Sequence, residues 1–175
     1  MKDTVSEADV RSEEVRKAKA DLSANEGKYL TFVLGDEEYG LEILKVREII
    51  SVMEITEVPQ VPDFIKGVIN LRGKVIPVID LRLKFGMPAV EYTRETCIIV
   101  VNVNNLLLGI VVDTVAEVLD IAKENIDPPP SFGSSVDTNF ILGMGKVKEK
   151  VKILLDIEKV LSVSELEMVA KVEEK

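Results

Sequence analysis

The amino-acid sequence contains no histidine and no tryptophan, and its single cysteine is Cys97. The missing imidazole excludes Ser-His-Asp and Cys-His catalysis and zinc sites with histidine ligands, because each needs a residue that the chain lacks. One cysteine forms neither an internal disulfide nor a Cys-x-x-Cys redox pair, which is typical of a reducing compartment. Residues 98–101, which follow Cys97, are all aliphatic, so we expect an inert core thiol.

Long apolar runs and an excess of positive charge are also lacking. No segment approaches the roughly 20 apolar residues of a membrane helix, and residues 1–7 lack the apolar core of a signal peptide. Lys and Arg number 22 against 31 Asp and Glu, a net charge of −9, which disfavours binding to phosphate backbones. We expect a soluble, intracellular protein without a nucleic-acid partner and without direct membrane insertion; basic or membrane-tethered partners stay open.

From Tyr29 onward, the chain consists of short runs rich in Val, Ile and Leu, separated by Gly, Pro, Asn and Asp. This pattern is typical of short strands and tight turns. Turns are predicted at Gly35-Asp36, Arg72-Gly73 and Asn104-Asn105, where positive φ is tolerated. The predicted strands are Tyr29–Leu34, Glu38–Leu41, Ile55–Val58, Gly67–Leu71, Lys74–Ile79, Thr96–Val103, Leu106–Val118, Phe140–Met144 and Lys150–Leu155.

Helical patterns are few. Residues 1–26 are polar, which fits either a frayed helix or a disordered tail. Residues 41–50 carry apolar side chains at helical spacing and predict a short helix after the second strand. Ser162-Val163-Ser164-Glu165 is a capping-box sequence that opens a helix through about Lys171. The weak apolar stripe of the N-terminal segment consists of Val10, Val15, Ala18 and Leu22.

The chain carries an internal repeat. A shift of 69 residues aligns Gly40 with Gly109, and a shift of 76 residues aligns Asp80 with Asp156. The difference places a seven-residue insertion within residues 129–139, a Pro/Ser/Gly-rich stretch typical of a loop. The pattern indicates a tandem duplication of one module of about 60 residues, which is small enough to close into a barrel filled by side chains.

These patterns predict a mainly β fold of two tandem barrels, with short helices and a C-terminal helix. We assign residues 1–26 to the tail, 27–90 to the first barrel, 91–161 to the second and 162–175 to a helix that can pack back on the first barrel. The contact between the barrels is expected to contribute to stability, because small domains bury little surface alone.

Enzyme chemistry has weak support. Asp80, Asp113 and Asp156 each follow an apolar strand and are the candidates for acid and base chemistry. Asp80 and Asp156 hold equivalent repeat positions before short helical patterns, where Asp is a good N-cap. Gly143-Met144-Gly145 lacks the third glycine of a dinucleotide fingerprint. We expect no catalysis and no cofactor, and keep a carboxylate-dependent enzyme using Asp80 or Asp113 as the alternative.

The apolar content exceeds what two small barrels need. Mean hydropathy is +0.17 although 30% of residues are charged, so part of the Val, Ile and Leu is expected to line exposed, partner-binding grooves. Val46 and Ile49 either line such a groove or pack in the core. Arg72 either is solvated or recognises a carboxylate, and Phe132 is either buried under its loop or displayed.

Several segments resemble, in this order along the chain, the CheW family of bacterial chemotaxis coupling proteins. The likeness extends from about Lys28 to Leu161. The segments that carry it are Tyr29–Gly40, Ile43–Ile49, Phe64–Gly73, Val75–Arg82 and Gly109–Asp113. The resemblance implies two SH3-like five-stranded β-barrel subdomains and a cytoplasmic adaptor that is recruited to membrane-associated receptor arrays.

The resemblance also implies partners. They are the cytoplasmic tip of methyl-accepting chemoreceptors, a helical hairpin, and the regulatory domain of the histidine kinase CheA. An adaptor of a CheA-like kinase in a non-chemotaxis pathway is the alternative. The receptor-binding residues that the resemblance implies are Val46, Glu48, Ile49, Gly67, Arg72 and Gly73. The kinase-binding residues are Ile98, Gly109, Val115 and Phe132.

Overall fold

The computed structural model describes residues 7–20, 27–129 and 139–173 of the chain. Within these ranges the protein is mainly β, as predicted, with two sheets and few short helices. The strands are β1 (Lys28–Leu34), β2 (Glu37–Glu42), β3 (Val46–Ser51), β4 (Ile65–Leu71), β5 (Lys74–Asp80), β6 (Cys97–Val103), β7 (Leu106–Val112), β8 (Thr114–Asp120), β9 (Ile126–Asp127), β10 (Ile141–Val147) and β11 (Lys150–Leu155). The helices are α1 (Glu7–Ala20), α2 (Leu81–Lys84), α3 (Ile157–Val160) and α4 (Val163–Glu173), with 3-10 turns at Ile43–Lys45 and Lys123–Asn125. None of these helices is long and apolar enough to cross a membrane.

Each sheet contains strands from both sequence repeats. The six-stranded sheet has the order β8-β1-β2-β11-β10-β9, and the five-stranded sheet has the order β3-β6-β7-β5-β4. The first hairpin of each repeat, β1-β2 or β6-β7, is therefore inserted between strands of the other repeat. The prediction divided the chain into one barrel over residues 27–90 and a second over 91–161. In the structure, each sheet instead takes strands from both of these segments.

Two parallel strand pairs hold this exchange at equivalent places. β2 pairs with β11 and aligns Gly40 with Leu154, while β7 pairs with β5 and aligns Gly109 with Val78. The sequence repeat relates these positions to each other, Gly40 to Gly109 and Val78 to Leu154. The structure therefore confirms the duplication and shows where its two copies interlock.

Both sheets curl until their ends meet. In the five-stranded sheet, Thr56 follows β3 and forms a bridge with Val68 of β4, with N–O distances of 2.8 and 2.9 Å. In the six-stranded sheet, β9 follows β8 and pairs with β10. In each sheet, the chain that continues from one end strand, β3 or β8, pairs at the opposite end of the strand order, which gives the sheet the closed form of a small barrel. The strand predicted over Ile55–Val58 is thus reduced to the bridge at Thr56.

The largest hydrophobic cluster is shared by the two sheets. It unites Phe32 and Leu41 of the six-stranded sheet with Ile79 and Ile99 of the five-stranded sheet. Smaller clusters fill the individual barrels. Because burying one such side chain contributes about 1.5–3 kcal/mol, this shared core is a major source of stability. Much of the apolar surplus that was predicted to line exposed grooves is used here instead.

Two further predicted elements differ from the structure. The helix expected over 41–50 is a 3-10 turn at Ile43–Lys45 followed by β3, which pairs with β6. β3 contains three β-branched residues, Val46, Ile49 and Ile50, and its pairing with β6 outweighs their helical spacing. The single strand expected over Leu106–Val118 breaks at Asp113 into β7 and β8, which belong to different sheets.

The predicted caps are confirmed. Asp80 accepts a hydrogen bond from the Arg82 backbone N–H at 3.0 Å at the start of α2. Asp156 accepts one from the Glu158 N–H at 3.2 Å at the start of α3. Asp80 also accepts a hydrogen bond from the Tyr92 hydroxyl at 2.8 Å. Two of the three candidate acid–base carboxylates, Asp80 and Asp156, thus have structural partners.

The C-terminal helix α4 opens with the predicted capping box. The Ser162 hydroxyl accepts from the Glu165 N–H at 3.2 Å, and the Glu165 carboxylate accepts from the Ser162 N–H at 2.8 Å. Glu165 also accepts hydrogen bonds from Lys84 Nζ at 2.8 and 2.9 Å. α4 lies against β4 and β5, so the helix packs on strands of the first repeat.

Asp113 links the two barrels at the point where β7 ends and β8 begins. Its carboxylate accepts hydrogen bonds from Arg82 Nε at 2.7 Å and Nη2 at 2.8 Å, and from the Gly35 N–H at 2.8 Å. Gly35 belongs to the β1-β2 turn and Arg82 to α2, so the carboxylate joins elements of both sheets. Burial acts to raise the pKa of Asp113, but the hydrogen bonds from Arg82 and Gly35 outweigh it, and the pKa lies below its ordinary value.

The Asp113 contribution to stability is therefore expected to depend on pH. A depressed pKa means that the folded state holds the proton less tightly than the unfolded chain, so the stabilisation is complete above the unfolded pKa of about 3.9. It is lost as the pH falls through the lower folded pKa. We expect Asp113→Asn to reduce the free energy of unfolding by roughly 1–3 kcal/mol at pH 7 and to converge with the unmodified protein in acid. Urea unfolding at several pH values measures this difference.

A matched control is Asp120→Asn, which weakens an ion pair with Lys28 in which the aspartate side chain is 73% exposed. Exposed ion pairs contribute little, so this variant should differ little from the unmodified protein at pH 7. Equal losses in Asp113→Asn and Asp120→Asn would contradict a specific link at Asp113.

Candidate protein-docking site

An exposed ion pair lies where the five-stranded barrel closes. Glu48 of β3 accepts a hydrogen bond from Arg72, which occupies the β4-β5 turn. The Arg72 side chain is 68% exposed, whereas that of Glu48 is 24% exposed. β3 and β4 are the two ends of the strand order, so only the curling of the sheet brings these residues together. The pair holds one nitrogen of the Arg72 guanidinium, while most of the side chain stays exposed to solvent.

The β4-β5 turn holds Arg72 in a defined position. Arg72 and Gly73 both have positive φ, +52° and +90°, which is the geometry of a type I′ turn. The Asn70 side-chain oxygen accepts a hydrogen bond from the Gly73 N–H at 2.8 Å. The sequence correctly predicts this turn, and the equivalent turn of the other barrel places Lys148 at the same φ of +52°.

Gly67 supports this site from within the barrel seam. Its φ is +143°, and a Cβ there would come within 2.0 Å of the Thr56 carbonyl oxygen. Thr56 makes the bridge that closes the barrel, so the missing side chain at Gly67 is what permits the close approach. Gly67 and Gly73 therefore shape the site rather than present a side chain to a partner.

Val46 and Ile49 are core residues. They are 0% and 2% exposed and belong to the shared hydrophobic cluster. In this conformation they pack in the core rather than line an open groove, and their receptor-binding role stays a prediction. The neighbouring Glu48 points outward from the same strand and is the available contact.

The residues expected to bind a kinase are also internal. Ile98 is fully buried, Val115 is 4% exposed, and a Cβ on Gly109 would come within 2.9 Å of Ile98 Cγ2. Gly109 lies where β7 pairs with β5, so its role is the close packing of the exchanged hairpin. In this conformation all three are packing residues, and their kinase-binding role stays a prediction. Phe132 lies outside the described residues.

The barrel of the six-stranded sheet does present apolar side chains elsewhere. Leu142 is 39% exposed and Val151 is 49% exposed, on the β10-β11 hairpin. The equivalent β4-β5 hairpin exposes Val75, at 37%. Exposed aliphatic side chains at the same place in both hairpins mark two related surfaces.

Sequence reasoning did not find the contact between α1 and β3. Ser12 of α1 bonds to the backbone of Ile49, and Ala8 and Val15 join the shared cluster. Of the predicted apolar stripe, Val15 is buried but Val10 is 41% exposed, and Leu22 lies outside the described residues. The only signal was the spacing of Ala8 and Val15, seven residues apart on one helix face.

Among the described residues, no group of three or more Cys, Asp or Glu side chains is placed to hold a metal ion. Cys97 is buried, as expected.

Two interlocked barrels with an exposed ion pair and two exposed hairpins define a β-barrel interaction module.

The family of this module follows from its relatives. A family model described as the CheW-like domain matches residues 28–165. The "Chemotaxis protein CheW" of Klebsiella aerogenes is 46% identical over 142 residues, which cover 81% of this chain and 86% of that protein. The "Chemotaxis protein CheW" of Helicobacter pylori is 37% identical over 134 residues, which cover 77% and 81%.

A solved structure agrees. The crystal structure of the scaffolding protein TtCheW from Thermoanaerobacter tengcongensis has a TM-score of 0.73 and 38% sequence identity, covering 79% of this chain and 94% of that chain. The chain belongs to the CheW-like family, a family of chemotaxis scaffold proteins. The resemblance seen in the sequence is thereby confirmed.

The two glycines of the candidate site are expected to differ sharply in their tolerance of a side chain. Gly67→Ala should cost roughly 3 kcal/mol of unfolding free energy, because the new methyl group overlaps the Thr56 carbonyl and opens the barrel seam. Gly73→Ala should cost about 1 kcal/mol, because only the positive φ opposes it; no atom lies within 4 Å of its added Cβ. Urea unfolding midpoints compare the two, and equal costs would show that the seam tolerates the methyl group.

Proposed function

We propose that this protein is an adaptor that couples the cytoplasmic tips of chemoreceptors to the regulatory domain of the histidine kinase CheA, without catalysis of its own. The observation that carries this proposal is the exposed Glu48–Arg72 pair on a barrel whose relatives are chemotaxis scaffold proteins. The proposed setting is the cytoplasmic face of a membrane-associated receptor array.

The receptor side of the proposal rests on the chemistry of Arg72. The guanidinium is largely solvated but tethered at one side by Glu48, so its rotamers are restricted before a partner arrives. A planar, multi-donor group of this kind suits a carboxylate or a helix carbonyl of a receptor hairpin. Arg72 and Glu48 are therefore the proposed receptor contacts, and Val46, Ile49, Gly67 and Gly73 position them.

The kinase side of the proposal uses the other barrel. Leu142 and Val151 on the β10-β11 hairpin are exposed, and Ile98, Gly109 and Val115 lie beneath the surface as packing residues. The family resemblance implies that the regulatory domain of the kinase is a similar double barrel, so we expect a hairpin-to-barrel contact of roughly 800 Å² per partner. Because the barrels share one core, the two faces keep a fixed relative position.

Replacing Arg72 tests the receptor face. Arg72→Ala should weaken binding to a chemoreceptor tip fragment roughly tenfold or more, because anchoring Arg side chains dominate small interfaces. Circular dichroism and binding to the kinase regulatory domain should be unchanged. The matched control is Lys148→Ala, which removes a basic side chain at the same φ from the equivalent turn. Equal receptor affinity in all three proteins would exclude Arg72 as a contact, and binding to neither partner would refute the adaptor function.

A second pair of variants tests the kinase face. Val151→Asp should weaken binding to the kinase regulatory domain roughly tenfold, because it places a charge in an apolar contact. Val75→Asp makes the same change at the equivalent position of the other hairpin and should leave kinase affinity unchanged. Isothermal titration calorimetry with CheA and with an unrelated kinase's regulatory domain separates chemotaxis from another pathway. Equal effects of both variants would contradict the choice of hairpin.

A further inference from the structure

The helix α1 lies outside the segment that matches the family, which begins at residue 28. It nevertheless packs against β3 and β8. These two strands are edges of the five-stranded and six-stranded sheets, respectively. α1 therefore covers the groove between these two strands, one from each barrel.

The helix is attached to this groove by a narrow face. Ala8 and Val15 are 2% and 1% exposed and pack into the shared cluster. Between them, the Ser12 hydroxyl donates to the Ile49 carbonyl at 2.7 Å and accepts from the Ile49 N–H at 2.8 Å. On an edge strand these backbone groups have no neighbouring strand on that side, so one hydroxyl satisfies both.

The opposite face of α1 is turned to solvent. Asp9, Val10, Glu13 and Arg16 are exposed. The ion pairs of Arg11 with Glu14 and of Arg16 with Glu13 are internal to the helix, so they survive its departure. The buried part of the attachment includes one small side chain, one hydroxyl and one β-branched aliphatic side chain at positions i, i+4 and i+7, and the Arg11 side chain beside them is 21% exposed.

α1 adjoins the proposed receptor contacts directly. One shallow depression is lined by Asp9, Ser12 and Glu13 of α1 on one side and by Glu48, Ile49 and Arg72 on the other. A helical partner that reaches from Arg72 toward the groove therefore meets α1. At this place the backbone of Ile49 is already bonded to Ser12.

We propose that α1 is an internal, displaceable occupant of the receptor-docking groove, and that a receptor helix binds by replacing it. This proposal rests on the proposed receptor-binding function. The incoming helix is expected to present the same chemistry, a small residue, a hydroxyl and a β-branched aliphatic residue along one face. Because α1 is part of the same chain as β1, it competes at a high effective concentration. The apparent dissociation constant of the receptor helix then equals the intrinsic constant divided by the fraction of molecules in which the groove is open.

Hydrogen exchange of the full chain tests the displacement directly. A saturating chemoreceptor tip fragment should accelerate exchange of the α1 amides over residues 10–16 and slow exchange in β3. Unchanged or slower exchange in α1, with β3 protected, would show that α1 stays in place and would overturn the proposal. Absence of any protection at saturating fragment would instead refute receptor binding itself.

Variants of the attachment give an independent readout. Val15→Asp should release α1 and tighten receptor binding roughly threefold or more, by removing the competitor. Val90→Asp makes the same change at an exposed valine outside this depression and should leave the affinity unchanged. Ser12→Ala, which keeps the helix but removes both Ile49 contacts, should act in the direction of Val15→Asp and serves if that variant fails to fold. Weaker or equal receptor binding by a variant with α1 released would contradict competition.

Discussion

The reciprocal exchange of the first hairpins between the two repeats is the constraint on which the rest of the structure depends. Each hairpin, β1-β2 or β6-β7, is held by a parallel pairing with the last strand of the other repeat. The exchange places strands of both halves around one shared hydrophobic cluster. Two modules that would bury little surface alone thereby acquire a common core. Gly40 and Gly109 mark the two crossings, where the backbone approaches a neighbouring side chain closely.

The exchange also determines what the surface can do. Because each barrel contains strands of both halves, the Glu48–Arg72 pair and the β10-β11 hairpin belong to one body rather than to two tethered domains. A rigid body that holds two partners loses little conformational freedom when the second partner binds. The same arrangement leaves β3 and β8 as sheet edges beside one groove, which α1 covers. An exposed sheet edge can pair with a strand of another chain. By covering β3 and β8, α1 therefore protects against such pairing as well as competing with a receptor helix.

Local and periodic features of the fold could be read from the sequence, and non-local ones could not. The turns at Arg72-Gly73 and Asn104-Asn105, the caps at Asp80 and Asp156 and the capping box at Ser162 depend on neighbouring residues, and the structure confirms them. The repeat indicated two equivalent modules but not their exchange, because both arrangements use the same strands. Segment 41–50 has helical spacing, yet the pairing of β3 with β6 decides its conformation. The position of Arg72 in an exposed turn could be read from the sequence. Its ion pair with Glu48 could not, because that pair forms only when the barrel closes. Val46, Ile49, Ile98 and Val115 look alike in sequence whether they line a groove or fill a core.

The central claim is that the interlocked barrels form one cooperative body. Native-state hydrogen exchange at increasing urea concentrations, below the unfolding transition, tests it most directly. The slowest amides of β1, β2, β6 and β7 should converge on a single opening free energy, equal to that of global unfolding. Amides of one barrel that exchange through a separate opening of clearly lower free energy, while the other barrel stays protected, would contradict the claim.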